Sequence, residues 1–335
     1  MNSLKPMLLT SLKSYDRSKF VKDVTAGIIV AIIALPLSIA LASGVGPEAG
    51  IFTAIVAGFV ISALGGSSVQ IAGPTAAFAT IVAGIVAKDG LDGLVISTIL
   101  AGIFLILMGL CHFGSLIKFI PYTITTGFTS GIAVTIVIGQ LKDFFGVTYP
   151  DGVKPIETTE KFKAFAENIS TINTDALIVG IVSLAILIIS PMLLKRIPGS
   201  LIAVIAGILM VRFLPLKVST IGNLYTISNS LPSFHLPEVN MQIVQNAIPN
   251  AFTIAVLAAI ESLLSCVVAD GMINGKHRSD MELVAQGAGN IASALFGGIP
   301  ATGAIARTAA NIKNGGRTPV AGMATPLHWS SYLLS

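Results

Sequence analysis

The stretch Gly297-Gly298-Ile299-Pro300-Ala301-Thr302-Gly303-Ala304-Ile305-Ala306-Arg307-Thr308 interrupts an apolar segment with two glycines and a proline. Glycine and proline end one helix and allow another to begin, so the sequence predicts a half-helix from Thr302 to Asn311. A helix that begins inside a bilayer presents unpaired N–H groups and the positive end of its dipole. Arg307 adds a fixed positive charge. The stretch therefore predicts an anion site within the membrane.

The composition is that of a polytopic membrane protein. Of the 335 residues, 53% are hydrophobic and 11% are charged, which leaves too little polar surface to cover a soluble globule. Uncharged runs cover residues 24–47, 49–87 and 119–141. Because about 20 apolar residues cross a bilayer, the run at 49–87 must hold more than one membrane element. The net charge of +4 fits basic cytoplasmic loops better than it fits binding to nucleic acid.

The same patterns predict ten membrane segments and their orientation. Residues 1–22 are rich in lysine and lack the apolar region of a signal peptide, so we expect them in the cytoplasm. With that orientation the later basic loops also lie on the cytoplasmic side, as expected for a multi-pass protein of the plasma (inner) membrane. The predicted segments cover residues 24–43, 49–64, 74–87, 91–110, 119–141, 176–194, 198–211, 243–269, 281–296 and 302–311.

Two parts of the chain resemble each other at a nearly constant offset. Pro74 and Pro300 follow similar stretches of small residues and are 300 − 74 = 226 residues apart. Upstream, Gly44 and Gly271 close similar segments at an offset of 271 − 44 = 227. An odd number of spans, seven, separates the copies, so the second copy enters the membrane in the opposite orientation. This inverted repeat predicts two half-helices that meet N-terminus to N-terminus at mid-membrane.

The starts of these half-helices form the predicted anion cradle. Small residues there allow the backbone N–H groups to approach an anion, and Arg307 attracts it electrostatically. The alternative is that glycine and proline only kink packed helices at these positions. The residues assigned to substrate binding at the two starts are Thr75, Ala76, Ala77, Thr302, Gly303 and Ala304.

Glu261 is an ionisable side chain in the middle of a predicted span, which makes it a functional hypothesis. It is either a carboxylate that carries H⁺ or a ligand of a coupling cation, together with Ser265 and the region of Thr302. The alternative is a structural ion pair with Arg307. The cysteines lack metal-ligand spacing and no nucleotide-binding motif is present, so no metal or other cofactor is expected beyond coupling H⁺ or Na⁺.

Several motifs belong together: Asp23-Val24-Thr25-Ala26-Gly27, Leu35-Pro36-Leu37-Ser38-Ile39-Ala40, Gly65-Gly66-Ser67-Ser68, Gly73-Pro74-Thr75-Ala76, Glu261-Ser262-Leu263-Leu264-Ser265, Val268-Ala269-Asp270-Gly271 and the opening stretch with Asn311-Ile312. Taken together, they resemble the sulfate permease (SulP) family of anion transporters over about residues 23–322. The resemblance implies fourteen membrane segments in a seven-plus-seven inverted repeat, with a core domain, a gate domain, a cytoplasmic STAS domain and commonly a homodimer. It also implies that Ser38 faces the substrate cavity and that Glu261 occupies a coupling-ion site.

The sequence departs from this family after Gly322, where a long apolar eleventh span is expected. We therefore divide the chain into a cytoplasmic segment (1–22), a transporter domain holding segments one to ten (23–322) and an atypical tail (323–335), without later segments or a STAS domain. The fold class is an all-α polytopic membrane protein with a partial seven-plus-seven inverted repeat.

The expected function is secondary transport of sulfate, bicarbonate or a dicarboxylate, coupled to H⁺ or Na⁺ or by exchange. No enzymatic activity is expected, and the expected partners are the small anion and the bilayer. Two alternatives stay open: a nucleobase transporter of related architecture, and an inactive fragment or partner subunit.

Overall fold

The computed structural model describes the chain except for residues 1–3, 42–44, 116–121, 151, 154, 194–198, 225–230, 238–239 and 334–335; the side chains at 34–41 and at a few other helix positions are also outside the described part. The described residues are mostly helical. The helices are α1 (Met7–Ser11), α2 (Arg17–Leu41), α3 (Pro47–Leu64), α4 (Ala76–Leu110), α5 (Tyr122–Phe145), α6 (Thr158–Glu167), α7 (Thr174–Leu193), α8 (Gly199–Phe213), α9 (Ile221–Leu224), α10 (Met241–Ile273), α11 (Ser279–Leu295), α12 (Ile305–Lys313) and α13 (Pro319–Leu333).

The chain forms two compact units. The first holds residues 1–125 and 227–335, and the second holds residues 126–226. In the second unit α7 packs against α8, and the rings of Phe145 and Phe165 lie 5.4 Å apart, which joins α5 to the amphipathic helix α6. The candidate site lies entirely in the first unit, which contains α1 to α4 and α10 to α13.

Among the described residues, four helices are long and apolar enough to cross a membrane: α3, α4, α7 and α10. The 35 residues of α4 are interrupted at Gly90, whose φ of 71° and ψ of −170° are not helical. Glycine adopts a positive φ without the steric cost that a Cβ would add. The predicted break between a half-helix and a full span is confirmed at Gly90, whereas the rest of the predicted loop at 88–90 is helical.

A short strand precedes each half-helix, and the two strands pair with each other. Strand β1 (Ala72–Gly73) pairs antiparallel with β2 (Thr302–Gly303), and Gly73 lies opposite Thr302. The extended piece predicted before the first half-helix is confirmed. The predicted start of the second half-helix at Thr302 is wrong by three residues, because the backbone of β2 bonds to β1 and Ala304 N donates to Ile71 O at 2.9 Å.

Helices α4 and α11 approach each other through glycines. A Cβ on Gly102 would lie 2.6 Å from the carbonyl oxygen of Gly287, and a Cβ on Gly287 would lie even closer to that of Gly102. Small residues at a crossing let two helix backbones touch, which is a common packing mode inside membranes. This contact fixes α11 beside α4.

We therefore expect Gly102→Ala and Gly287→Ala each to lower the thermal stability of the detergent-solubilised protein. Overpacking of this kind costs about 1–3 kcal/mol. Gly84→Ala, also on α4, is the matched control, because no atom lies within 4 Å of its added Cβ, and alanine favours the helix there by about 0.5–1 kcal/mol. Equal melting temperatures for all three variants would contradict the close contact.

The start of α13 is held by a buried carboxylate. Asp23 in α2 is 0% exposed, and its Oδ1 accepts hydrogen bonds from Arg317 N at 2.8 Å and Thr318 N at 3.2 Å. Its Oδ2 accepts from Thr318 Oγ1 at 2.5 Å and from Tyr15 OH at 3.2 Å. Asp23 thus fixes the two residues that precede α13, a helix that packs against α2 and α3. Residues 323–333 of the predicted tail belong to this helix.

The pKa of Tyr15 depends on its contact with Asp23. Burial, together with the negative charge of Asp23 and the hydrogen bond to it, raises the pKa of Tyr15 to about 12. We expect Asp23→Asn to lower the pKa of Tyr15 while leaving it above its usual value, because burial remains. Tyrosinate absorbance near 295 nm, taken as the difference from Tyr15→Phe, measures this pKa; the same titration curve with and without Asp23 would refute the contact.

Candidate functional site

The site lies where the middle of α10 meets β1, β2 and the start of α4. Thr75 is the last residue before α4, and its Oγ1 donates to Glu261 Oε2 at 3.1 Å. Glu261 lies in α10 and is only 6% exposed. The predicted carboxylate therefore contacts the start of the first half-helix directly.

Arg307 approaches the same point from the second half-helix. It is the third residue of α12 and is 4% exposed. Its Nη2 donates to Pro74 O at 2.7 Å, and Nη1 lies so close to Gly73 that a Cβ there would be 2.6 Å away. Within the described part of the chain, Nε and Nη1 have no hydrogen-bond partner. Two donors of a buried cation therefore remain available at the start of α4.

Glu261 and Arg307 do not form the ion pair considered from the sequence. Among the described residues, no carboxylate oxygen of Glu261 lies within 4.0 Å of a guanidinium nitrogen of Arg307. Each instead bonds to a neighbouring residue of the first half-helix start, Glu261 to Thr75 and Arg307 to Pro74. Opposite charges thus flank one short backbone segment without neutralising each other by contact.

Equivalent threonines lie directly before α4, at Thr75, and in β2, at Thr302. Thr302 lies 302 − 75 = 227 residues after Thr75, which matches the sequence repeat. Thr302 Oγ1 lies 2.8 Å from Ser262 Oγ and donates to Ala258 O at 3.1 Å. The equivalent threonines therefore contact consecutive residues of α10, Glu261 and Ser262. The hydroxyl of Thr302 is fully buried and is bonded within the protein, whereas Nε and Nη1 of the buried Arg307 have no partner among the described residues.

The remaining predicted residues are distributed around this centre. Ala76 and Ala77 form the first turn of α4 and are half-buried, whereas Gly303 lies in β2 and Ala304 directly precedes α12. Ser265 is fully buried and its Oγ lies 3.4 Å from Thr308 Oγ1 rather than at Glu261.

Ser38 lies in α2, but its side chain is outside the described residues. The structure thus brings together Thr75, Glu261 and Arg307 at the start of α4.

One buried carboxylate escaped sequence reasoning. Glu282 in the first turn of α11 is 0% exposed. Its Oε2 accepts from Gly66 N at 2.9 Å and Ser67 N at 3.2 Å, and its Oε1 accepts from Gln70 Nε2 at 2.8 Å and Gln286 Nε2 at 2.9 Å. Four N–H groups therefore surround one carboxylate, which fixes the loop that leads into β1.

Gln70 connects Glu282 to the strand pair. Its side chain lies directly against Gly303, where a Cβ would overlap it, and its Oε1 accepts from Cys266 Sγ at 2.8 Å. Gln70 therefore joins Glu282 to β2 and to α10. No local sequence signal could have revealed this, because Gln70 and Glu282 are 212 residues apart.

The irregular backbone before β2 is satisfied by side chains. Asn290 Oδ1 accepts from Ala301 N, and Asn290 Nδ2 donates to Ala301 O, both at 2.9 Å. Thr53 Oγ1 accepts from Ile299 N at 2.7 Å, and Ser293 Oγ donates to Ile299 O at 2.8 Å. Non-helical backbone is tolerated inside a membrane only when its polar groups are paired in this way.

Paired strands before two broken helices, with buried ionisable side chains beside them, define the fold of an inverted-repeat membrane transporter. Residues 20–332 match the protein-family model described as the sulfate permease family, and the chain belongs to that family. This match extends beyond residue 322, the predicted end of the transporter domain.

Relatives of this chain include named transporters. The putative sulfate transporter YvdB of Bacillus subtilis is 43% identical over 319 residues, 93% of this chain and 59% of that protein. The bicarbonate transporter BicA of Picosynechococcus sp. is 34% identical over 314 residues, 90% of this chain and 55% of that protein. The chain thus spans little more than half the length of these relatives.

Solved structures share the fold. The transmembrane domain of a cyanobacterium bicarbonate transporter BicA has a TM-score of 0.81 and 31% identity, covering 96% of this chain and 83% of that chain. The murine anion transporter Slc26a9 in the inward-facing state has a TM-score of 0.81 and 19% identity, covering 99% of this chain and 59% of that chain. The predicted fold class, a partial inverted-repeat transporter, is confirmed.

Proposed function

We propose that this chain binds a small anion at the start of α4, as the substrate site of a secondary transporter of the sulfate permease family. The observation that carries the proposal is the buried guanidinium of Arg307, whose Nε and Nη1 have no hydrogen-bond partner among the described residues. The N–H groups in the first turn of α4 and the positive end of its dipole add to this attraction. An anion here satisfies both sets of donors.

The substrate class that we propose is a small oxyanion or carboxylate: sulfate, bicarbonate or a dicarboxylate. A guanidinium presents a planar fork that matches two oxygens of such an anion. The relatives described as sulfate and bicarbonate transporters support the same class. Backbone N–H groups recognise charge and size, so the choice among these anions belongs to experiment.

We further propose that Glu261 couples anion binding to H⁺ or Na⁺. Its carboxylate lies beside the anion position and bonds to Thr75, so loss of a proton or of a cation there adds a negative charge next to the substrate. A carboxylate in a membrane span is costly unless it is protonated or paired. The basic loops support an N-terminus in the cytoplasm and a location in the plasma (inner) membrane, and the family resemblance supports a homodimer.

Equilibrium binding tests both proposals. Sulfate, bicarbonate, fumarate and chloride are titrated onto the purified chain at two pH values, with and without Na⁺. We expect saturable binding of at least one oxyanion; no binding of any anion under any condition would overturn the proposed site.

For Glu261→Gln we expect binding that no longer depends on pH or Na⁺. In the unchanged chain one proton bound together with the anion shifts the affinity by up to about tenfold per pH unit. Glu167→Gln is the control, because that side chain is 62% exposed on α6 in the other unit. A variant at Glu261 with the same pH and Na⁺ dependence as the unchanged chain would contradict the coupling role.

A further inference from the structure

Residues 4–22 carry apolar and basic side chains together on an exposed surface. Leu9 and Leu12 are 52% and 48% exposed, and Phe20 and Val21 are 50% and 56% exposed. In the first turns of α2, Arg17, Phe20 and Val21 follow the spacing of one helix face. We call this surface the N-terminal face; it consists of Leu9, Leu12, Lys13, Arg17, Phe20 and Val21.

The opposite side of this segment is fixed to the protein. Arg278 Nη1 donates to Lys5 O at 2.7 Å and to Pro6 O at 3.2 Å, and its Nη2 donates to Thr10 Oγ1 at 2.9 Å. Met7 N donates to Gly65 O at 2.8 Å, and α1 packs against α3 and α13. The segment is therefore held in one orientation, which directs the N-terminal face away from the protein.

The outward charge of the segment is positive. Asp16 is exposed, with its Oδ1 accepting from Lys19 N at 2.8 Å, and it is the one acidic residue among residues 4–22; Asp23, the next, is buried under Thr318 and Arg317. The basic residues in this part of the chain are Lys5, Lys13, Arg17, Lys19 and Lys22. A positive surface with apolar side chains between the charges fits an anionic, partly apolar partner.

The position of the segment identifies that partner. Helix α2 begins at Arg17 and continues directly into the uncharged run that starts at residue 24, so residues 4–22 lie where the chain enters the bilayer. Basic residues beside a membrane span contact anionic headgroups, and apolar side chains of such a segment enter the boundary between headgroups and acyl chains.

We infer that the N-terminal face binds the bilayer surface, with Leu9, Leu12, Phe20 and Val21 inserted and the basic side chains bound to anionic phospholipid headgroups. This lipid contact is separate from the anion site at Arg307 and involves none of its residues. It fixes the depth at which α2 enters the membrane.

Tryptophan quenching by brominated lipids tests this inference. The only tryptophan, Trp329, is replaced by phenylalanine, and Leu9→Trp or Leu12→Trp is added in the full chain. The samples are reconstituted in nanodiscs of dibromo-phosphatidylcholine, with and without phosphatidylglycerol. Lys276→Trp is the matched control, because it is exposed in the α10–α11 loop; it should be quenched little.

We expect bromines near the headgroups to quench both new tryptophans, and phosphatidylglycerol to increase that quenching. Lys13→Gln with Arg17→Gln should lower the increase by at least about twofold, because each basic residue adds to the attraction of an anionic surface. Quenching no greater than at position 276, or quenching that does not change with phosphatidylglycerol, overturns the inference. A blue-shifted, unquenched emission also overturns it, because it shows that protein covers the face. Anion binding by the same samples is measured in parallel and should not change.

Discussion

Replacing Arg307 by glutamine is expected to lower the affinity for the bound oxyanion by at least about 100-fold, because two charge-assisted hydrogen bonds of about 1.5–3 kcal/mol each are lost. The guanidinium is buried, and its Nε and Nη1 have no other partner within the described residues. Equilibrium titration with sulfate, bicarbonate and fumarate measures the change. The effect should appear as lost binding and not as lost folding, since Arg307 makes one hydrogen bond to Pro74.

Two further variants separate charge from geometry. Arg307→Lys keeps the charge but loses the planar fork, so its affinity should lie between those of the unchanged chain and Arg307→Gln. Lys313→Gln, at the exposed end of the same helix, should bind as the unchanged chain does. If Arg307→Gln binds oxyanions as tightly as Lys313→Gln, the guanidinium is not part of the site.

Glu282→Ala is expected to cause the largest loss of stability. The change leaves four buried N–H groups without their acceptor, on Gly66, Ser67, Gln70 and Gln286. Because an unsatisfied buried donor costs about 1–3 kcal/mol, we expect at least about 3 kcal/mol in total. For 335 residues, an unfolding entropy of about 2.1 cal/mol/K per residue gives about 1.4 °C per kcal/mol, so the melting temperature should fall by at least about 4 °C.

Glu282→Gln provides the matched comparison. It keeps the volume of the side chain but replaces one acceptor oxygen with an amide that donates, so two of the four donors lose their partner. We expect its melting temperature to lie between those of the unchanged chain and Glu282→Ala. Thermal denaturation followed by size-exclusion chromatography in detergent gives these values. A melting temperature unaffected by Glu282→Ala would show that the carboxylate does not hold the loop.

The sequence predicted the parts of the fold that depend on local composition. Uncharged runs located the spans, glycine and proline located the breaks at 65–75 and 297–303, and the offset of 227 related the two copies. These features follow from the cost of charge and of unpaired backbone in a membrane, which acts on each segment separately. For the same reason Glu261 and Arg307 could be predicted as candidate site residues, and the structure buries both beside the start of α4.

The contacts between distant segments could not be predicted. Thr302 was placed in a helix because a threonine after a glycine and proline break resembles a helix start, whereas it pairs with Gly73 across 302 − 73 = 229 positions. Glu282 was overlooked because an acidic residue in the first turn of a helix ordinarily interacts with the dipole and faces water. Its burial depends on Gly66, Ser67 and Gln70, whose positions only the folded chain reveals.

The central claim is that the anion lies between the guanidinium of Arg307 and the first turn of α4. Anomalous scattering from crystals of the chain soaked in selenate, a heavier analogue of sulfate, locates the anion directly. We predict one selenium peak within hydrogen-bond distance of Arg307 Nη1 or Nε and beside the N–H groups of Ala76 and Ala77, absent in Arg307→Gln. A peak elsewhere, or the same peak without Arg307, would contradict the claim.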